Sequence, residues 1–98
     1  MPVNPLFFMQ MYVKNFTYTV SFTESGLPSG TSWSVTFNNQ TQTSTTDSIT
    51  FTAPNGTYEY RVLQSGAYVP SPVSGPITVN NAPVTVYVTF TKSAIVGP

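Results

Sequence analysis

ESGLPSGTSWSVTFN, residues Glu24 to Asn38, is a dense turn that feeds a strand. Its first half, Glu24 to Gly30, holds two Gly, one Pro and two Ser in seven positions. Those residues supply positive φ, a fixed φ and local side-chain hydrogen bonds, so no regular element runs through them. Directly after it, Trp33, Val35 and Phe37 alternate with Ser32, Ser34 and Thr36. That period of two is a strand with one buried face. Trp33 is the only tryptophan, and its bulk makes it the natural centre of a core.

The same alternation recurs on both sides. Phe16, Tyr18, Val20 and Phe22 alternate with hydroxyl residues before the turn. After it, Asn38-Asn39-Gln40 is a turn signal, Thr41 to Thr46 a polar, β-branched run suited to a sheet edge, and Ile49 and Phe51 point inward. Pro54-Asn55-Gly56 reads as a hairpin turn. Tyr58, Tyr60 and Val62 then face the core, with Glu59 and Arg61 outside. Gln64 to Pro76 reads as a loop with a short extended piece at Tyr68 and Val69. Ile77 and Val79 open another strand, Asn80 to Pro83 turns it, and Val84, Val86, Val88 and Phe90 give the cleanest alternation in the chain.

No helical period persists, and strands recur about every 10 to 14 residues between turns, the pattern of an all-β, immunoglobulin-like antiparallel β-sandwich of about seven strands. A small barrel is the alternative. The organisation expected is an apolar amino-terminal strand over 1–15, the sandwich over 16–92 and a tail over 93–98. A 98-residue chain fits one domain, and one this size buries roughly 60 to 68% of its unfolded surface.

Composition excludes several functions. The chain has no Cys and no His, three Lys/Arg, three Asp/Glu and a formal net charge of zero. The usual catalytic base and thiol nucleophile are therefore missing, and the many Ser and Thr lack an activating partner. Glu24, Asp47 and Glu59 are scattered, with no spacing that clusters oxygen ligands. The expectation is a non-enzyme without metal or cofactor. So little positive charge opposes nucleic-acid binding. A surface with so few carboxylates also changes charge little on acidification, which favours tolerance of acid.

The succession YTVSFTESGLPSGTSWSVTFN, SITFTAPNGTYEYRV and ITVNNAPVTVYVTFT, within Tyr18 to Thr91, resembles the repeat module of large secreted and cell-surface proteins of thermoacidophilic archaea. Some of those regions accompany thermopsin-like acid peptidases. The resemblance implies an extracellular, non-catalytic β-sandwich with structural or adhesive duty. A single copy departs from the usual tandem arrays, and Met1 to Asn15 lies outside the likeness.

That amino-terminal stretch carries the sharper expectation. Leu6, Phe7, Phe8, Met9, Met11, Tyr12 and Val13 form an apolar run broken only by Gln10. It is far shorter than the roughly 20 residues of a membrane-spanning helix, and it lacks the basic region and cleavage site of a signal peptide. The reading is therefore of a mature or excised form. Alternate residues place apolar side chains on both faces, as in a strand held between layers. Three placements are open, of which two are strands: the first strand of its own fold, or a strand donated to a neighbouring copy, which would build a filament. A frayed extension is the third.

The partners expected are therefore protein, by self-association or through neighbouring surface modules, or glycan. Sequons at Asn15, Asn39 and Asn55 are candidate glycosylation sites. Tyr68 and Tyr87 are the candidate contacts for a carbohydrate or peptide, should the domain instead serve as the accessory binding module of a secreted hydrolase.

Overall fold

A computed structural model of the chain describes residues 16–93. They form a β-sandwich of eight strands without a helix: β1 (Tyr18–Ser25), β2 (Trp33–Phe37), β3 (Gln40–Ser44), β4 (Ser48–Ala53), β5 (Gly56–Val62), β6 (Tyr68–Ser71), β7 (Ser74–Val79) and β8 (Val84–Lys92). One sheet has the order β4-β1-β8-β6 and the other β3-β2-β5-β7.

The sandwich is as the alternation predicts, with one strand more than expected. The surplus comes from Gln64 to Pro76, whose prolines and glycines read as loop. Within it, β6 pairs with β8 and β7 begins already at Ser74. One pair is also parallel: β1 lies beside β8 with Val20 opposite Val84 and Phe22 opposite Val86. Alternation reports which face is buried and is silent on the direction of the neighbour.

Pro54-Asn55-Gly56 is not a hairpin turn. β4 pairs with β1 in the first sheet, while β5 pairs with β2 and β7 in the second. The chain therefore crosses the sandwich here, because Ile49, Phe51 and Ala53 bury against the same core that Tyr60 and Val62 close from the other side. Among the described strands only β2 and β3 are joined as a hairpin. Its two-residue loop, Asn38 (φ 50) and Asn39 (φ 65), has the double positive φ of a type I′ turn.

Fourteen large or aliphatic apolar residues and Pro70 are buried, and none of the described polar side chains is. Phe22 meets Phe37, Phe51 and Tyr60 at ring distances of 6.3, 5.8 and 5.2 Å. Trp33 stacks edge-on against Phe90 at 5.9 Å, and its indole N–H donates to the carbonyl of Thr46 at 2.6 Å. Phe16, expected inside, is 66% exposed, because it precedes the first ladder pair, Tyr18 with Ala53.

The Glu24 to Gly30 turn carries the chain from the first sheet to the second. Glu24 Oε1 accepts the Leu27 N–H at 3.2 Å, and the Thr31 N–H bonds the Pro28 carbonyl at 3.1 Å. Gly26, at φ 102, lies so close to the backbone of Phe90 that no side chain would fit.

Candidate functional site

The outer face of the first sheet is the most regular surface of the molecule. Thr19, Ser21 and Thr23 of β1 stand opposite Thr52, Thr50 and Ser48 of β4. On the other side Ser21, Thr23 and Ser25 lie beside Thr85, Tyr87 and Thr89 of β8. Ser71 and Val69 of β6 continue the rows. These side chains point to solvent because their alternates, among them Val20, Phe22, Phe51 and Phe90, fill the core. The rows contain no charged residue.

Hydroxyls on the two outer faces differ in their bonding. On the second sheet they close on one another: Ser34 with Thr43 at 2.7 Å, Thr36 with Thr41 at 2.7 Å and Thr57 with Thr78 at 3.4 Å. On the first sheet no such pair joins β1, β4 and β8 among the described residues. Their hydroxyls are thus left to solvent or a ligand, spaced about 6.7 Å along each strand and about 4.8 Å between strands.

At the β4 margin of this face lies a shallow groove of about 250 Å³, lined by Thr19, Gln40, Gln42, Thr50, Phe51 and Thr52. Gln40 and Gln42 belong to β3, opposite Phe37 and Val35, and so stand on the core-facing side of the second sheet. Both are nevertheless exposed. They reach the margin of β4, where they share the groove with Thr50, Phe51 and Thr52 of the first sheet. By sequence, Gln40 belongs to a turn signal and Gln42 to a polar edge run. A polar residue at the inward phase of a strand was the available signal.

Tyr87 is 75% exposed in the middle of the hydroxyl face. Tyr68 is not on a loop: it starts β6 and is half-buried against the core. The two tyrosines therefore do not form one site. Asn39 is exposed on the β2–β3 turn. Asn55 is engaged with Asn81 through two hydrogen bonds of 2.9 and 2.7 Å. Leu6, Phe7, Phe8, Met9, Met11, Tyr12, Val13 and Asn15 lie outside the described residues.

Among the described residues no group of three or more acidic, His or Cys side chains is placed to hold a metal ion, and no helix is long and apolar enough to cross a membrane. Burial raises the pKa of Tyr60 above the ordinary value of 10.0. The residue is 7% exposed and its ring packs on Phe22, which accounts for the shift by desolvation. Comparison with protein-family models, with curated proteins and with solved structures finds no match in any of the three.

Proposed function

We propose that the chain is a non-catalytic structural or adhesive module of a cell surface, and that its copies assemble by donating the run Leu6 to Val13. The observation that carries this reading is the place left for that run: β1 already has a neighbour on each side, β4 and β8, so a further strand can join the first sheet only at an edge. An apolar stretch of eight residues, broken only by Gln10, is suited to such an edge. The likeness of Tyr18 to Thr91 to archaeal surface modules supports the extracellular setting, as does a surface solubilised by hydroxyls and amides. The test is solution mass over a concentration series at neutral and acidic pH, with negative-stain images of the same samples. Filaments or long oligomers are expected. A monomer at every concentration would refute assembly.

Tyr87 favours one further reading, an accessory domain that binds a neutral carbohydrate. An exposed aromatic ring among unpaired hydroxyls presents both an apolar platform and hydrogen-bonding groups without charge. Glycan-array binding that is lost in Tyr87→Ala, with stability unchanged, is the result this reading requires. An array without signal would remove it.

A further inference from the structure

The four sheet edges are unequal, and the inequality identifies where an added strand would dock. Ladder geometry determines which backbone groups each edge strand turns outward, since alternate residues of an antiparallel strand bond its neighbour.

On β6 the outward residues are Tyr68 and Pro70. Tyr68 spends both backbone groups on Ser65, at 2.8 and 3.0 Å, and Pro70 has no N–H. On β7 the bond from Val62 N–H to the Val73 carbonyl, 2.7 Å, sets the phase, so Ser74, Pro76 and Thr78 face outward. Pro76 removes the donor from the middle of that edge. The flank formed by β6 and β7 is thus closed to pairing by two prolines and a backbone bridge, devices that guard edges against strand addition.

The opposite flank lacks them. The bond from Glu24 N–H to the Asp47 carbonyl, 2.9 Å, fixes the phase of β1 against β4. Ile49, Phe51 and Ala53 therefore bond β1, while Thr50 and Thr52 turn their N–H and C=O groups away from it. These four groups have no partner among the described residues. On β3 the outward residues are Thr41 and Thr43, by the same reasoning from the Leu63 N–H bond to the Ser34 carbonyl. Neither strand contains Pro, Gly or a charged residue.

We infer that β4 is the receiving edge for the run Leu6 to Val13 of a second copy, which adds to the first sheet as a fifth strand. This rests on the assembly reading above and specifies its geometry. β4 is favoured over β3 because the groove lined by Thr19, Gln40, Gln42, Thr50, Phe51 and Thr52 lies along its margin, where an added strand would cover it. The run fits in length: its eight residues extend about 26 Å, against about 20 Å for the six of β4. A second copy is favoured over the chain's own run by direction. Residues 1–15 join β1 at Tyr18, beside Ala53, where β4 ends. Folded back beside β4, the chain's own run would have to pair in parallel. A run arriving from another copy is free to pair antiparallel, the slightly more stable arrangement.

The test copies the protein's own device. Thr50→Pro and Thr52→Pro each delete an outward N–H and break no ladder bond, and the preceding Ile49 and Phe51 are already extended, as proline requires. In the full chain each is expected to weaken association by about tenfold or more, while Trp33 fluorescence and far-UV circular dichroism stay native. Thr43→Pro on β3 is expected to leave association unchanged. Should the proline variants fail to fold, single-cysteine proteins replace them, since the chain has no cysteine. Met9→Cys mixed with Thr52→Cys is expected to give a mixed disulfide dimer, and Met9→Cys mixed with Thr78→Cys none.

The possible failures are distinct. A wild type that never associates overturns both the assembly reading and this inference. Association lost in Phe8→Lys but kept in folded Thr50→Pro and Thr52→Pro preserves donation and overturns β4 as receiver. Association kept in Phe8→Lys and lost in the proline variants overturns the run as occupant and leaves an edge-to-edge contact between sandwiches.

Discussion

Asn55 and Asn81 hold each other across the end of the sandwich. Asn55 Nδ2 donates to Asn81 Oδ1 at 2.9 Å, and the Asn81 backbone N–H donates to Asn55 Oδ1 at 2.7 Å. Each sits in a turn that carries the chain from one sheet to the other, β4 to β5 and β7 to β8. The Tyr18 hydroxyl adds a bond of 3.3 Å to the same Asn81 oxygen. Three strand ends are thus tied at one point. Asn55→Ala is expected to cost about 1 to 2 kcal/mol, two hydrogen bonds at a partly solvated site. Urea unfolding followed by Trp33 fluorescence measures it. A variant as stable as wild type would show that the turns are held by the strands alone.

The same pair separates the two described sequons. Asn39 is on an exposed hairpin turn and its side chain makes no hydrogen bond among the described residues, whereas the Asn55 amide is engaged on both atoms. In a glycosylating secretory host, occupancy at Asn39 is expected to exceed that at Asn55. Peptide mass spectrometry gives the two occupancies directly, and greater occupancy at Asn55 would contradict the ordering.

Gly26 and Gly30 lie in one turn and differ in what surrounds them. A side chain at Gly26 meets the Phe90 carbonyl, while the space at Gly30, φ 82, is open. Gly30→Ala carries only the left-handed backbone penalty, about 1 kcal/mol. Gly26→Ala must also displace β8 and is expected to cost at least about 3 kcal/mol. Paired thermal melts test the difference, and equal losses would mean that the turn moves freely away from β8.

Trp33→Phe removes the indole donor to Thr46 and much of the contact with Phe90. A loss of about 2 to 4 kcal/mol follows from the unpaired carbonyl together with the space left behind. Tyr87→Ser, on the exposed face, is expected to change stability by less than about 0.5 kcal/mol. Chemical denaturation of both variants tests the contrast between an anchor of the core and a side chain free for another purpose.

The response to pH is expected to be lopsided. Tyr60 is neutral in the fold, and desolvation raises its pKa above 10.0. The unfolded chain therefore loses this proton first as pH rises. Stability is fully present below about pH 10, falls as the unfolded tyrosine ionises, and is lost up to the folded pKa, with no further loss from this group beyond it. Towards acid, three Asp/Glu side chains against three Lys/Arg leave little charge to accumulate. Melting temperatures are expected to stay nearly level from neutral pH to about pH 2 and to drop above about pH 10. Tyr60→Phe should remove the alkaline drop specific to this residue.

Sequence alternation disclosed most of the core. Val20 and Phe22, Trp33, Val35 and Phe37, Ile49 and Phe51, and Val88 and Phe90 are buried as their period predicts, because a half-buried strand has no other arrangement of large apolar side chains. Sheet membership was not legible. Pro54-Asn55-Gly56 has the composition of a hairpin turn and crosses between sheets, a choice made by the packing of Phe51 against Phe22 and Phe37 at long range. β6 was hidden by Pro70 and Pro72, which read as loop although Pro70 turns only its backbone away from β8 and is itself buried. The groove was hidden too, since Gln40 and Gln42 mark it by standing at an inward phase, and polarity alone resembles solvent exposure.

The most direct test of the account is amide hydrogen exchange at Thr50 and Thr52 in the full chain as its concentration is raised. If the run of one copy pairs with β4 of the next, both amides change from fast to protected exchange as assemblies form, while those of Thr41 and Thr43 stay fast. Fast exchange at Thr50 and Thr52 at every concentration, in samples whose mass shows assembly, would contradict β4 as the receiving edge.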